Sequence, residues 1–153
     1  MANSKRLKLA SVIILLMALS FIAGRFSYHL FPPDYNTVKC VRVIDGDTIV
    51  VEFMGLKEHL KILDIDTPEI RRTKKLSEQA KRAGLSEDEM IERGFEAKQA
   101  MEFMVLDRKI NINFRNDEVE RDDFGRLHAH VYIDGTNVGS HLVEIGLAEG
   151  FGF

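Results

Sequence analysis

The chain has 153 residues, 45% of them apolar and 29% charged, which suits one modest domain with a short appendage. Its single cysteine, Cys40, excludes an intramolecular disulfide and a cysteine-rich zinc site. Lys5, Arg6, Lys8 and Arg25 lie in a first stretch without acids, leaving 17 basic against 24 acidic residues in the rest, about −7; that balance argues against binding nucleic acid through a broad basic surface, but not against an enzyme that focuses a few cations on one phosphate.

Leu9 to Gly24 is an uncharged, mostly apolar run behind a basic start. As a helix it would reach about 24 Å, somewhat less than the ~30 Å hydrocarbon core. Snorkelling of Arg25 and the apolar Phe26, Tyr28, Leu30 and Phe31 would extend it. The expectation is a signal-anchor over residues 1–31, with the domain outside the cytoplasmic membrane. The alternative is a signal peptide cleaved near Ala18-Leu19-Ser20, giving a secreted protein. Residues 32–37, with Pro32-Pro33, read as a linker, and residues 38–153 as the domain.

Val38 to Ile44 alternates as a strand, with either Cys40 or Val41 facing inward. Asp45-Gly46 signals a hairpin, and Thr48 to Phe53 is a β-branched second strand. Met54 to Lys57 reads as a turn and Leu60 to Ile65 as a third strand. A helix over Lys74 to Ala83 stops at Gly84. Ser86 and Glu89 then form a capping box, with Leu85 and Met90 at staple positions. Met90, Ala97, Met101 and Met104 recur at helical spacing as core, widened by Phe103 and Leu106. Lys109 to Phe114 and Leu127 to Ile133 read as the fourth and fifth strands, and Val138 to Gly146 as a closing helix. Five short strands with a helical insertion after the third suggest an α+β fold built on a five-stranded OB-fold barrel.

Three acids stand at strand ends: Asp47 after the first hairpin turn, and Asp66 and Glu69 in the stiff turn Asp66-Thr67-Pro68-Glu69. Carboxylates with a backbone carbonyl are the hard oxygens that Ca²⁺ selects. Glu69, one turn away, suits deprotonation of a water, and Arg126 suits a phosphate through its planar fork. Singly, each has a structural reading as a turn former or helix cap; as an ordered set they point to phosphodiester chemistry. His128 and His130 share a strand face with His141 near, but ordinary strand histidines are the favoured reading over a zinc site.

Five segments carry a resemblance: Val43-Ile44-Asp45-Gly46-Asp47-Thr48, Leu63-Asp64-Ile65-Asp66-Thr67-Pro68-Glu69, Gly94-Phe95-Glu96-Ala97, Asp123-Phe124-Gly125-Arg126 and Leu142-Val143-Glu144-Ile145-Gly146-Leu147-Ala148. In this order they resemble the staphylococcal nuclease (thermonuclease) family from residue 38 to about 150. A monomer is expected, and the resemblance implies Ca²⁺-dependent cleavage of DNA and RNA. It places Asp47, Asp66 and the Thr67 carbonyl on the metal, Glu69 at the attacking water and Arg126 at the phosphate. Lys61 stands where the family has a further phosphate-gripping arginine; it keeps the charge and loses the fork, so slower catalysis is expected. Arg71 and Arg72 offer a replacement fork or, as the favoured reading, solvated loop charges. The segment between Glu69 and Gly94 is longer than in the type member, which also continues beyond the position of Phe153. The runner-up readings are an oligonucleotide-binding OB module without turnover, anchored at the membrane, and a structural domain of an envelope complex.

Overall fold

A computed structural model describes residues 36–151, which lie in one compact unit, Tyr35–Phe153. The proposed anchor at 9–24 and residues 32–35 of the linker fall outside the described residues. Among the described residues no helix is long and apolar enough to cross a membrane.

The chain runs β1 (Thr37–Val43), β2 (Thr48–Phe53), β3 (Leu56–Ile62), β4 (Ile65–Asp66), α1 (Lys74–Ala83), α2 (Glu87–Val105), β5 (Lys109–Phe114), β6 (Leu127–Ile133), β7 (Thr136–Asn137), α3 (Val138–Glu144) and β8 (Glu149–Gly150). Strands β3-β2-β1-β5-β6 are neighbours in that order, and a parallel pairing of Leu60–Ile62 with Leu127–Ala129 joins the last to the first. The result is a closed five-stranded mixed barrel with three helices, the OB-fold expected from the pattern.

Local chemistry explains the corners. Met54 and Gly55 both have positive φ, 51° and 80°, as a two-residue hairpin turn of the right twist demands, so β3 begins at Leu56 and not at Leu60. In β1 the register shifts between Cys40 and Arg42. This bulge lets Cys40 and Val43, three residues apart, both face the core, which strict alternation forbids. It settles the choice between Cys40 and Val41 in favour of Cys40.

Inward residues of every barrel strand meet in one core, including Ile49, Val51, Leu60, Ile62, Ile110, Ile112, Leu127 and Val131. Met101 and Val105 of α2 pack against it, as do Val138 and Leu142 of α3. Burying each such side chain stabilises the fold by roughly 1.5–3 kcal/mol. Phe103 departs from the expected stripe: it is 90% exposed, because Met101 and Val105 on either side already face the barrel. The 70–93 segment makes its own small core from Leu76, Ala80 and Met90, with Leu85 packed on it as a staple should be. Thr73 caps α1, Gly84 ends it at φ 68°, and the Ser86–Glu89 box opens α2.

Candidate active site

Four segments converge at one side of the barrel: the β1–β2 loop with Asp47, the end of β3 with Lys61, the β4 turn with Asp66 to Glu69, and α1 above that turn. Two glycine positions explain how close they come. A Cβ on Gly46 would stand 2.7 Å from Ala97 Cβ and 2.8 Å from the Thr67 side chain. A Cβ on Gly94 would stand 2.8 Å from the carbonyl oxygens of Pro68 and Glu69. Helix α2 therefore lies directly on both acid-bearing turns, and only residues as small as Gly94 and Ala97 permit it.

Asp47 is buried, and its carboxylate is fully engaged. Oδ1 accepts from the Thr48 hydroxyl at 3.0 Å, and Oδ2 accepts from the Thr67 N–H at 2.9 Å. Lys61 forms an ion pair with the same Oδ2. Burial alone would push the Asp47 carboxyl up; the neighbouring Lys61 ammonium and the Thr67 N–H outweigh that and hold it below the usual carboxylate range. Asp45 goes the other way, raised by burial and by the Asp47 charge.

Asp66 and Glu69 share a cation that motif reading did not find. Lys75 Nζ, from the first turn of α1, lies 2.6 Å from Asp66 Oδ1 and 2.8 Å from Glu69 Oε1. Burial would lower the Lys75 pKa, but those two bonds raise it overall. Gln79, one turn further along α1, is buried and braces the turn. Its amide donates to Asp66 Oδ2 at 3.1 Å and to the Thr67 carbonyl at 3.0 Å, and its oxygen accepts from the Glu69 N–H at 3.0 Å. The available sequence signal was a glutamine on the buried face of an amphipathic helix, between Leu76 and Ala80.

Arg126 enters from the start of β6. Asp122 holds its Nε and Nη2, each 2.7 Å from Oδ2, while Oδ1 accepts from the Arg126 and Phe124 N–H groups. The remaining Nη1 points at Thr48 Oγ1, 3.4 Å away, and so toward the Asp47 loop. Phe124 lies against the guanidinium at 5.4 Å and is 84% exposed. Asp122 is thus a positioning residue that the motif reading passed over.

The donor set suits a hard cation. Asp47 and Asp66 converge closely enough for one ammonium, Lys61 Nζ, to bridge Asp47 Oδ2 and Asp66 Oδ1, the latter at 3.8 Å. Thr67 sits between them with its N–H and carbonyl both in the cluster. Among the described residues no three His, Cys, Asp or Glu side chains gather as a metal site, so two carboxylates and one carbonyl are the protein ligands on offer. Water and phosphate would have to complete the six to eight oxygens of Ca²⁺. The histidines are dispersed: His130 faces Asp64 at 3.6 Å and His141 faces Glu144 at 3.7 Å. Arg72 pairs with Glu87 and Asp88 at the start of α2, and gives the phosphate site no fork.

An OB barrel with acids on the first loop and after the third strand, and an arginine at its last long strand, defines a nuclease-type barrel. The chain belongs to the family described as staphylococcal nuclease homologue, whose model matches residues 59–151. It is 35% identical over 107 residues to endonuclease YncB of Bacillus subtilis, a match covering 70% of this chain and 44% of that protein. It is 29% identical over 140 residues to the thermonuclease of Staphylococcus hyicus, covering 91% and 74%. It is 34% identical over 107 residues to the SPbeta prophage-derived endonuclease YokF of Bacillus subtilis, covering 70% and 31%. The chain thus spans less than half the length of the two Bacillus relatives.

Proposed function

We propose that this chain hydrolyses phosphodiester bonds of DNA or RNA in a Ca²⁺-dependent manner. One observation carries the reading: Asp47 and Asp66 converge on a single cation position, with Glu69 one turn beyond and Arg126 Nη1 aimed at the same loop. Asp47, Asp66 and the Thr67 carbonyl would hold Ca²⁺, which would supply polarisation of the phosphoryl group and charge neutralisation. Glu69 takes the proton of the attacking water. Arg126, fixed by Asp122, turns its Nη1 edge from the Thr48 hydroxyl to the phosphate, and Lys61 adds a point charge without a fork. The Gln79 bonds hold Asp66, Thr67 and Glu69 as one rigid turn.

The test is cleavage of labelled single-stranded DNA and RNA by the full chain with Ca²⁺, with a chelator, and with Glu69→Gln. Turnover that needs Ca²⁺ and falls by orders of magnitude in the variant is expected; equal rates in all three overturn the reading. A second reading, a binding module without turnover, is favoured by Lys75, whose ammonium ties up Asp66 and Glu69 together. It predicts oligonucleotide affinity indifferent to Ca²⁺ and no product. We further propose that the domain acts outside the cytoplasmic membrane as a monomer, tethered through residues 9–24 or released by cleavage. Protease digestion of intact cells should then remove it, and its survival until lysis would refute that placement.

A further inference from the structure

Several basic side chains near the candidate site are already paired. Lys61, Lys75, Arg121 and Arg126 are each held by a carboxylate. Arg42 and Lys57 are exposed and form no ion pair among the described residues. With His59, Val41 and Val50 they line a groove of about 270 Å³ on the outer face of the barrel.

Strand register explains the groove. Arg42 pairs with Val50 and Val50 with His59, so these three form one row across β1, β2 and β3. Val50 points outward by alternation, yet it is only 5% exposed, as the floor of a groove walled by long basic side chains would be. Along β3, Lys57, His59 and Lys61 share one face, each about 6.6 Å from the next at ~3.3 Å rise per residue. The neighbouring row is Thr48 with Lys61, which belongs to the candidate site. The row that floors the groove is therefore the next one along the same face from the candidate site. At its other end Glu52, between Lys39 and Lys57 in register, closes the run of positive charge.

We propose that the Arg42–Lys57–His59 groove is a subsite for the sugar–phosphate backbone of a single-stranded nucleic acid, holding nucleotides that flank the phosphate at Lys61 and Arg126. Three strands spaced ~4.8 Å apart give a channel the width of one backbone. The acidic surface elsewhere lacks the broad cationic face that a duplex needs. The contacts go to phosphates and carry no base preference. The proposal rests on the nuclease reading for what lies at the end of the groove, but not for its own test.

The experiment measures binding of end-labelled oligothymidylates and oligouridylates of roughly four and twelve nucleotides, spanning the site sizes of one OB barrel. It uses the full chain carrying Glu69→Gln, in chelator, over a range of salt. Adding Arg42→Gln and Lys57→Gln should weaken the longer oligomers by about tenfold at low salt. It should also flatten the slope of log affinity against log salt by about 1.4, twice the ~0.7 per single-strand phosphate. The shorter oligomers should lose less. Lys81→Gln with Lys98→Gln removes equal charge from α1 and α2 and should leave the slope in place, as should the charge-conserving pair Arg42→Lys and Lys57→Arg. An unchanged slope in the groove variant, or equal flattening in the helix variant, overturns the proposal. Parent-chain binding that shows the groove effect while wild type cleaves nothing would sink the nuclease reading and leave the groove standing. The DNA and RNA arms show which strand it prefers.

Discussion

Lys75 decides how the carboxylates are used at the scale of a single residue. Its ammonium sits between Asp66 and Glu69, the proposed metal ligand and the proposed base. A divalent cation and this ammonium then compete for Asp66 Oδ1. The side chain is about half exposed, so the pair is worth ~0.5–1 kcal/mol and not more. Lys75→Gln is therefore expected to tighten Ca²⁺ binding by about twofold to fivefold, read by titration calorimetry in the absence of substrate. Unaltered or weaker affinity would mean that the ammonium assists the site and does not compete with it. The positions of Asp47, Asp66, Glu69 and Arg126 on turns and strand ends were legible, because turn-forming and β-branched residues mark those positions at short sequence range. Lys75, Gln79 and Asp122 were not, because each acts through a partner that only the fold brings near; a lysine on a helix's first turn reads as a solvated charge until Asp66 is seen beside it.

Elements are joined at the site by small residues more than by polar bonds. Gly94 lets α2 lie on the Pro68 and Glu69 carbonyls, and Ala97 touches Gly46 across the same contact. Of the Gly94-Phe95-Glu96-Ala97 segment only Ala97 was legible physically, as part of the core stripe; Gly94 was legible as family pattern alone, and its physical reason is this close approach of a helix to two turns. Gly94→Ala adds a methyl at 2.8 Å from two backbone oxygens, so helix or turn must move. Overpacking of that kind costs about 1–3 kcal/mol. The expectation is a lower midpoint in urea, together with a loss of cleavage larger than the unfolded fraction explains, since the shift displaces Glu69. A variant with wild-type stability and rate would show that the contact is not tight. The same reasoning explains the 70–93 insertion: α1 and α2 share the Leu76–Ala80–Met90 core, and that packing holds Lys75 and Gln79 over the turn.

At the level of the whole molecule, the step least visible in the sequence is barrel closure. The parallel pairing of β3 with β6 joins residues more than sixty positions apart and leaves no local signal, whereas the hairpin at Met54-Gly55 announces itself. The two-residue strands β4 and β8 were equally unreadable, being shorter than any periodicity. Closure makes the interior one apolar compartment, and Cys40 reports on it. Its side chain is fully buried, and burial pushes the thiol up to about 11. In the unfolded chain the thiol titrates near its ordinary value of 9.0. The folded state thus keeps its proton where the unfolded state loses it, so this contribution to stability is complete below the unfolded pKa and declines as pH rises through the folded one. The decline has a slope of about 1.4 kcal/mol per pH unit between those limits. Denaturant unfolding of wild type and Cys40→Ala from about pH 7.5, below the unfolded value, upward should show the wild-type advantage shrinking with that slope as pH rises, and native Cys40 should resist alkylation until the barrel opens. A pH-independent difference, or rapid labelling of the folded chain, would mean that the barrel admits water at β1, where the bulge beside Val41 interrupts the pairing.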